Sequence, residues 1–198
     1  CQFLKTLDRQ NLLSGYAEML KHGLISEEGH WAELMTFDMD HPDYGKLQQL
    51  VGESVQIKER IVAQDPFEQG IRKALNLGHT IGHAFESFAL EREAPVLHGY
   101  AVAWGMVCEL YLAHQKTGFP TDKMRQTVQF IKENYGKLAF NCRDYDRLYE
   151  FMKHDKKNAA AGMINFTLLG GIGDIRINQT ATKEEINEAL DFYCETMG

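Results

Sequence analysis

What this chain lacks narrows its function before any motif does. Its four cysteines stand far apart, at positions 1, 108, 142 and 194, with no CxxC pair among them. That argues against a thiolate zinc site or a disulfide scaffold and fits a reduced, cytoplasmic chain. No uncharged run approaches the roughly 20 residues of a membrane span, and no signal peptide is visible. Cationic excess is missing too, since 21 Lys and Arg against 28 Asp and Glu leave a net charge of −7. Such a balance gives no general attraction to nucleic acid or to an anionic membrane, so neither is an expected partner. There is no repeat, no low-complexity linker and no glycine fingerprint for a dinucleotide. The 198 residues open on Cys rather than Met and enter a helical pattern almost at once, which reads as part of a longer polypeptide.

What is present is helical periodicity over most of the length. Helices are expected over 9–22, closed by Gly23, and from a Ser26 N-cap through Trp31 and Leu34. Pro42 and Asp43 open a third helix with an apolar stripe of Leu47, Leu50, Val51, Val55, Ile57, Ile61 and Val62, ended by Pro66 and Gly70. The run 100–113 is apolar on every side except Glu109 and should be the buried centre of a bundle. Further helices are expected over 121–134, 144–154 and 183–193. The only strand signals are 163–169 and 174–177, around turn material at 170–173. The fold class is mainly α, one helical domain over 1–198 with a small β-hairpin near the C-terminus.

The chemistry concentrates in residues 75–86. Wound as a helix, this segment puts Asn76, His79, His83 and Glu86 on one face, with Arg72 a turn earlier, and Leu77, Ile81, Ala84 and Phe85 on the other. His79 and His83 stand i, i+4, close enough for both rings to reach one metal ion. Thr80 sits where zinc peptidases with that spacing carry a catalytic Glu, so proteolysis is not expected. Gly78 and Gly82 cost about 1 kcal/mol each inside a helix, which suggests close backbone packing. His98, at the mouth of the apolar helix, is a further candidate ligand. Glu18, Lys21 and His22 share one face of the first helix, where an intrahelical ion pair is the plainer explanation. Lys58 falls inside the apolar stripe of the third helix, an unusual place for a lysine without an anionic partner or a cavity. The cluster 153–158 ends a helix and has the composition of a solvated loop or a phosphate clamp. One pocket would account for all of these. Glu18, His79, His83, Glu86 and His98 offer metal ligands, and Arg72, Lys58 and Lys156 or Lys157 offer cations for an anionic substrate; spacing does not say which of the five coordinate.

Taken in order, these motifs resemble a known family. They are Ser14-Gly15-Tyr16-Ala17-Glu18 with Lys21 and His22-Gly23; Lys58 leading to Asp65 and Arg72; Leu75-Asn76-x-Gly78-His79-Thr80-x-Gly82-His83-Ala84-x-Glu86; His98-Gly99-x-Ala101-Val102-Ala103; and Asp155-Lys156-Lys157. The chain resembles the C-terminal, helical half of 3-dehydroquinate synthase over essentially its whole length, without the NAD-binding half. The resemblance implies metal ligands at Glu18, His79 and His98 holding zinc or cobalt, with NAD bound mainly by the absent half. It implies that Lys21 contacts substrate hydroxyls, Lys58 and Arg72 hold a carboxylate, Asn76 and His83 lie beside the substrate, and one of Lys156 and Lys157 meets its phosphate. His83 and Lys21 are the expected catalytic residues, and Glu86 drops to a supporting role. Tyr100 and Pro66-Phe67 depart from the family pattern without touching a matched ligand. The implied substrate is a small sugar phosphate, and the full-length enzyme is expected to be a homodimer. Alternatives are another sugar-phosphate cyclase, of the inosose or valiolone type, or a metal-binding domain that is inactive by itself.

Overall fold

The structure is a computed structural model that describes residues 4, 6–155 and 162–198. Lys156 and Lys157 therefore lie outside the described residues. Among the described residues, eight α-helices and one hairpin follow in order: α1 (Arg9–Ile25), α2 (Glu28–Met35), α3 (Tyr44–Gln64), α4 (His79–Glu91), α5 (His98–Thr117), α6 (Thr121–Tyr135), α7 (Tyr145–Asp155), β1 (Ile164–Gly171), β2 (Asp174–Ala181) and α8 (Lys183–Met197). The mainly helical class with a C-terminal hairpin is what the periodicity led us to expect. Among the described residues, no helix is long and apolar enough to cross a membrane.

α5 is the axle. Its residues from Ala101 to Leu110 are all buried, and α1, α4, α6, α8 and β1 pack around it. An all-round apolar helix buries every face, so it belongs at the centre of the bundle. Where α4 crosses α5 the two backbones nearly touch. A side chain on Gly105 would run into the Gly78 carbonyl and sit 2.6 Å from the Gly82 nitrogen. This seam is the reason for the glycines in the 75–86 motif.

Several expected boundaries move. The 75–86 segment is not one helix: Ile71–Asn76 is a 3-10 stretch, Gly78 turns left-handed at φ 79°, and α4 starts at His79. The reason is local. The left-handed turn breaks the ladder, and a side chain at position 78 would press on Met106 and Val102. Arg72 and Asn76 therefore do not continue the α4 face. Gly23 does not end α1; it lies buried inside the helix against Trp31 and Leu34, and the end comes at Ile25. Ser26 closes α1 rather than opening α2, whose N-cap residue is Glu27. Asp43 does cap α3, accepting from Gly45 and Lys46. The buried line of α3 is Leu47, Leu50, Ser54, Ile57 and Ile61, so Val55 is half exposed and Lys58 is exposed rather than inward.

The hairpin braces the 3-10 stretch. β1 and β2 run antiparallel with Ile164 opposite Ala181 and Leu169 opposite Ile175. The Thr167 hydroxyl donates to the Lys73 carbonyl at 2.9 Å, and the Gly173 amide donates to the Leu24 carbonyl at 2.9 Å. The segment before α4 is thereby pinned between sheet and α1.

Candidate metal centre

Three helices bring their polar groups to one point. α1 carries Glu18 and Lys21, α4 carries His79, His83 and Glu86 from its first two turns, and α5 begins with His98. His79, His83 and His98 each offer a ring nitrogen, and these atoms lie within 4.8 Å of one another. Their ring centroids stand 5.2–5.7 Å apart. Glu18 Oε1 is 3.4 Å from His79 Nε2 and 3.9 Å from His98 Nε2. At those separations the oxygen is in neither case well hydrogen-bonded. It is buried and without a hydrogen-bond partner, although its twin Oε2 accepts from Lys21 Nζ at 2.6 Å. A buried carboxylate oxygen is rarely left unsatisfied, and this one faces two imidazoles across a gap.

The far nitrogens of two rings are already engaged. His79 Nδ1 lies 3.1 Å from the Leu77 carbonyl, and His98 Nδ1 lies 3.2 Å from Glu86 Oε2. An acceptor on Nδ1 fixes the tautomer with the proton there and leaves Nε2 as a lone-pair donor aimed at the gap. A mixed oxygen and imidazole set of this kind suits zinc or cobalt. The residues present fit a divalent metal.

Charge supports the same geometry. Burial, the largest single influence on Glu18, works to raise its pKa; the His79 contact and the Lys21 ammonium outweigh it and hold the carboxyl well below the usual carboxylate range. Lys21 is only 3% exposed, and burial pulls its ammonium below the ordinary lysine value against the support of Glu18. The same face continues into a cavity of about 300 Å³ lined on its polar side by Glu18, His22, Ser54 and Lys58. Lys58 is near enough for its charge to depress Lys21. An exposed lysine over a cavity beside the histidine cluster accounts for the odd residue in the α3 stripe.

Arg72 and Asn76 are held in a different way. Asp65 accepts from the amides of Gln69, Gly70 and Arg72 and so shapes the loop 65–70. The Arg72 guanidinium donates to the Pro66 carbonyl at 2.7 Å, and the Asn76 amide donates to Glu68 at 2.8 Å. Both side chains thus bond to the loop rather than to the histidines. Two contributors were named in the sequence reading without being given a role. Ser14 Oγ accepts from the Gly99 amide at 3.1 Å and fastens the start of α5 to α1. Glu109 accepts from the amides of Gly78 and Ile81. Being the lone charge on an apolar helix was the signal that could have marked Glu109.

Residues 15–158 match the family model described as 3-dehydroquinate synthase C-terminal. A 3-dehydroquinate synthase of Parabacteroides distasonis is 62% identical over 198 residues, which is 100% of this chain and 56% of that protein. This chain thus spans about half the length of the curated relatives it matches. Two solved structures share the fold. The 2-epi-5-epi-valiolone synthase of Streptomyces hygroscopicus, solved with NAD+ and Zn2+ bound, aligns with a TM-score of 0.81 at 24% identity, over 98% of this chain and 54% of that one. A 2-deoxy-scyllo-inosose synthase complexed with carbaglucose-6-phosphate, NAD+ and Co2+ aligns with a TM-score of 0.77 at 20% identity, over 93% of this chain and 53% of that one. The family match, the identity to the Parabacteroides enzyme and a cluster built from the motifs of 14–23, 75–86 and 98–103 agree: this chain belongs to the 3-dehydroquinate synthase C-terminal family.

Proposed function

We propose that this chain is the metal- and substrate-binding part of a 3-dehydroquinate synthase, which turns 3-deoxy-D-arabino-heptulosonate 7-phosphate into 3-dehydroquinate and phosphate. One observation carries the reading of the site: the buried, unpartnered Glu18 Oε1 faces the Nε2 atoms of His79 and His98. Glu18, His79 and His98 would hold the ion, each histidine being oriented by an acceptor on its other nitrogen. When bound, a zinc or cobalt ion and NAD supply Lewis acidity and a transient hydride acceptor, NAD being held by the part of the relatives outside this match.

The chain's own residues do the rest. Lys21, held against Glu18, presents its ammonium to the substrate hydroxyls beside the ligands. Lys58, at the rim of the cavity, and Arg72 hold the substrate carboxylate. Asn76 and His83 fix the ring, with His83 handling a proton close to the leaving phosphate. Lys156 or Lys157 is assigned to that phosphate. Arg72 and Asn76 must exchange Pro66 and Glu68 for substrate, so binding is coupled to a shift of the loop 65–70. Positioning of this kind lets a substrate group assist its own proton removal, which is where fixed cations contribute most. The scattered reduced cysteines support a cytoplasmic setting.

The test uses the full-length enzyme with NAD and metal. Phosphate should be released from the heptulosonate phosphate, and Arg72→Ala should raise KM at least tenfold by removing a carboxylate contact worth 1.5 kcal/mol or more. Release only from a sugar phosphate without a carboxylate would point instead to a cyclase of the inosose or valiolone type.

A further inference from the structure

Glu109 lies three turns or so beyond His98 on α5 and is fully buried. Its Oε2 accepts from the Gly78 amide at 2.6 Å and its Oε1 from the Ile81 amide at 3.0 Å. These are orphan donors at the start of α4, whose N-cap residue Gly78 has no side chain to satisfy them. A local cap is sterically closed, because a Cβ at position 78 would stand 2.6 Å from Met106 and 2.9 Å from the Val102 carbonyl. The backbone there is also left-handed, which disfavours any other residue. The cap therefore comes from the neighbouring helix, and a carboxylate at the positive end of a helix is the favourable charge for it. Nothing about burial alone calls for a charged group in the middle of an apolar helix. What the contact achieves is placement, since the amides it grips bracket His79.

We propose that Glu109 is a positioning residue for the metal centre. It fixes the first turn of α4 so that His79 Nε2 is held against Glu18, and it does so from the helix that itself begins with His98. One rigid rod thereby sets both histidines. The proposal rests on His79 being a metal ligand.

The experiment compares the chain with Glu109→Gln, Glu109→Asp and a core control in α8, Leu190→Ala, which removes a fully buried side chain from a helix that carries none of the cluster's residues. Zinc affinity is measured by calorimetry and the ligand field by the visible spectrum of the cobalt-loaded protein, both beside thermal melting. Glu109→Gln should lose 10–100-fold in zinc affinity and change the cobalt spectrum, the range expected of groups that orient ligands. Glu109→Asp, too short to grip both amides, should fall with it, whereas Leu190→Ala should lower the melting temperature and leave both metal readouts alone. Affinity and spectrum unchanged in Glu109→Gln would overturn this proposal only; an unaltered chain that bound no zinc would overturn the ligand reading and this proposal with it. If the Glu109 variants fail to fold, the unaltered chain still decides. Its Gly78 and Ile81 amide protons should be shifted downfield and exchange slowly, and ordinary shifts with fast exchange would overturn the contact.

Discussion

Replacing Glu18 by Gln separates what this carboxylate does for the fold from what it does for a metal. In the metal-free chain the loss is that of a charged acceptor to Lys21, whose ammonium is 3% exposed. A fully buried pair broken on one side costs about 3–5 kcal/mol. A charge-assisted hydrogen bond is worth about 1.5–3 kcal/mol. Glu18 is 32% exposed and Gln keeps an acceptor oxygen, so the smaller range governs and about 2 kcal/mol is expected. For a chain of this size that lowers the melting temperature by about 4–8 °C. Zinc then acts in the opposite direction. At a free concentration 100 times Kd it stabilises the unaltered chain by about 2.7 kcal/mol, a rise of roughly 5–11 °C. The Glu18→Gln chain should show little or no such rise. Glu86→Gln should keep it at higher zinc, because Glu86 meets His98 at the far nitrogen, Nδ1, and its loss weakens binding about 10–100-fold. Differential scanning calorimetry of the three chains with and without zinc reads all six states. A full zinc-induced rise in Glu18→Gln together with none in Glu86→Gln would refute the assignment.

Two other outcomes follow from buried groups. His22 is held neutral, its pKa pushed down to about 4 from 6.5 by burial and then by the Lys21 ammonium. The unfolded chain therefore takes up the proton first as pH falls. Stability should drop by about 3 kcal/mol between pH 6.5 and 4, and His22→Gln should flatten that part of a pH-melting series; an unchanged slope would contradict it. Gly105→Ala forces a methyl group onto the Gly78 carbonyl, so it should destabilise by about 1–3 kcal/mol and reduce zinc affinity, with a wild-type melting curve as the contrary result.

The helices were legible because their apolar faces repeat at helical spacing, and α5 was legible as the axle because it has no polar face at all. Less visible were the points where backbone meets backbone. Periodicity ran through Gly78 without a break, since a left-handed residue leaves the spacing of its neighbours nearly intact. The structure instead stops one element there and starts another. The same blindness placed the end of α1 at Gly23, where the missing side chain serves packing against Trp31 rather than termination. For the site, spacing brought His79 and His83 together correctly but also drew Arg72 and Asn76 onto their face. Spacing alone did not bring Glu18 to His79, because no local pattern encodes a contact between α1 and α4; the family resemblance implied the pairing, and the fold shows the two side chains facing each other. Glu109 was conspicuous as a charge, yet its partners are main-chain amides, which carry no letter in a sequence.

The seam between α4 and α5 has a consequence for how such a site moves. Side chains can swap rotamers and give a joint several settings, whereas main chain pressed on main chain has one. The histidines therefore sit on an anvil. Across from it, Arg72 and Asn76 hang on two exposed bonds to the loop 65–70, the kind that open locally at little cost. The centre is thus divided into a part that does not yield and a part that must, and a ligand arriving between them works only against the second.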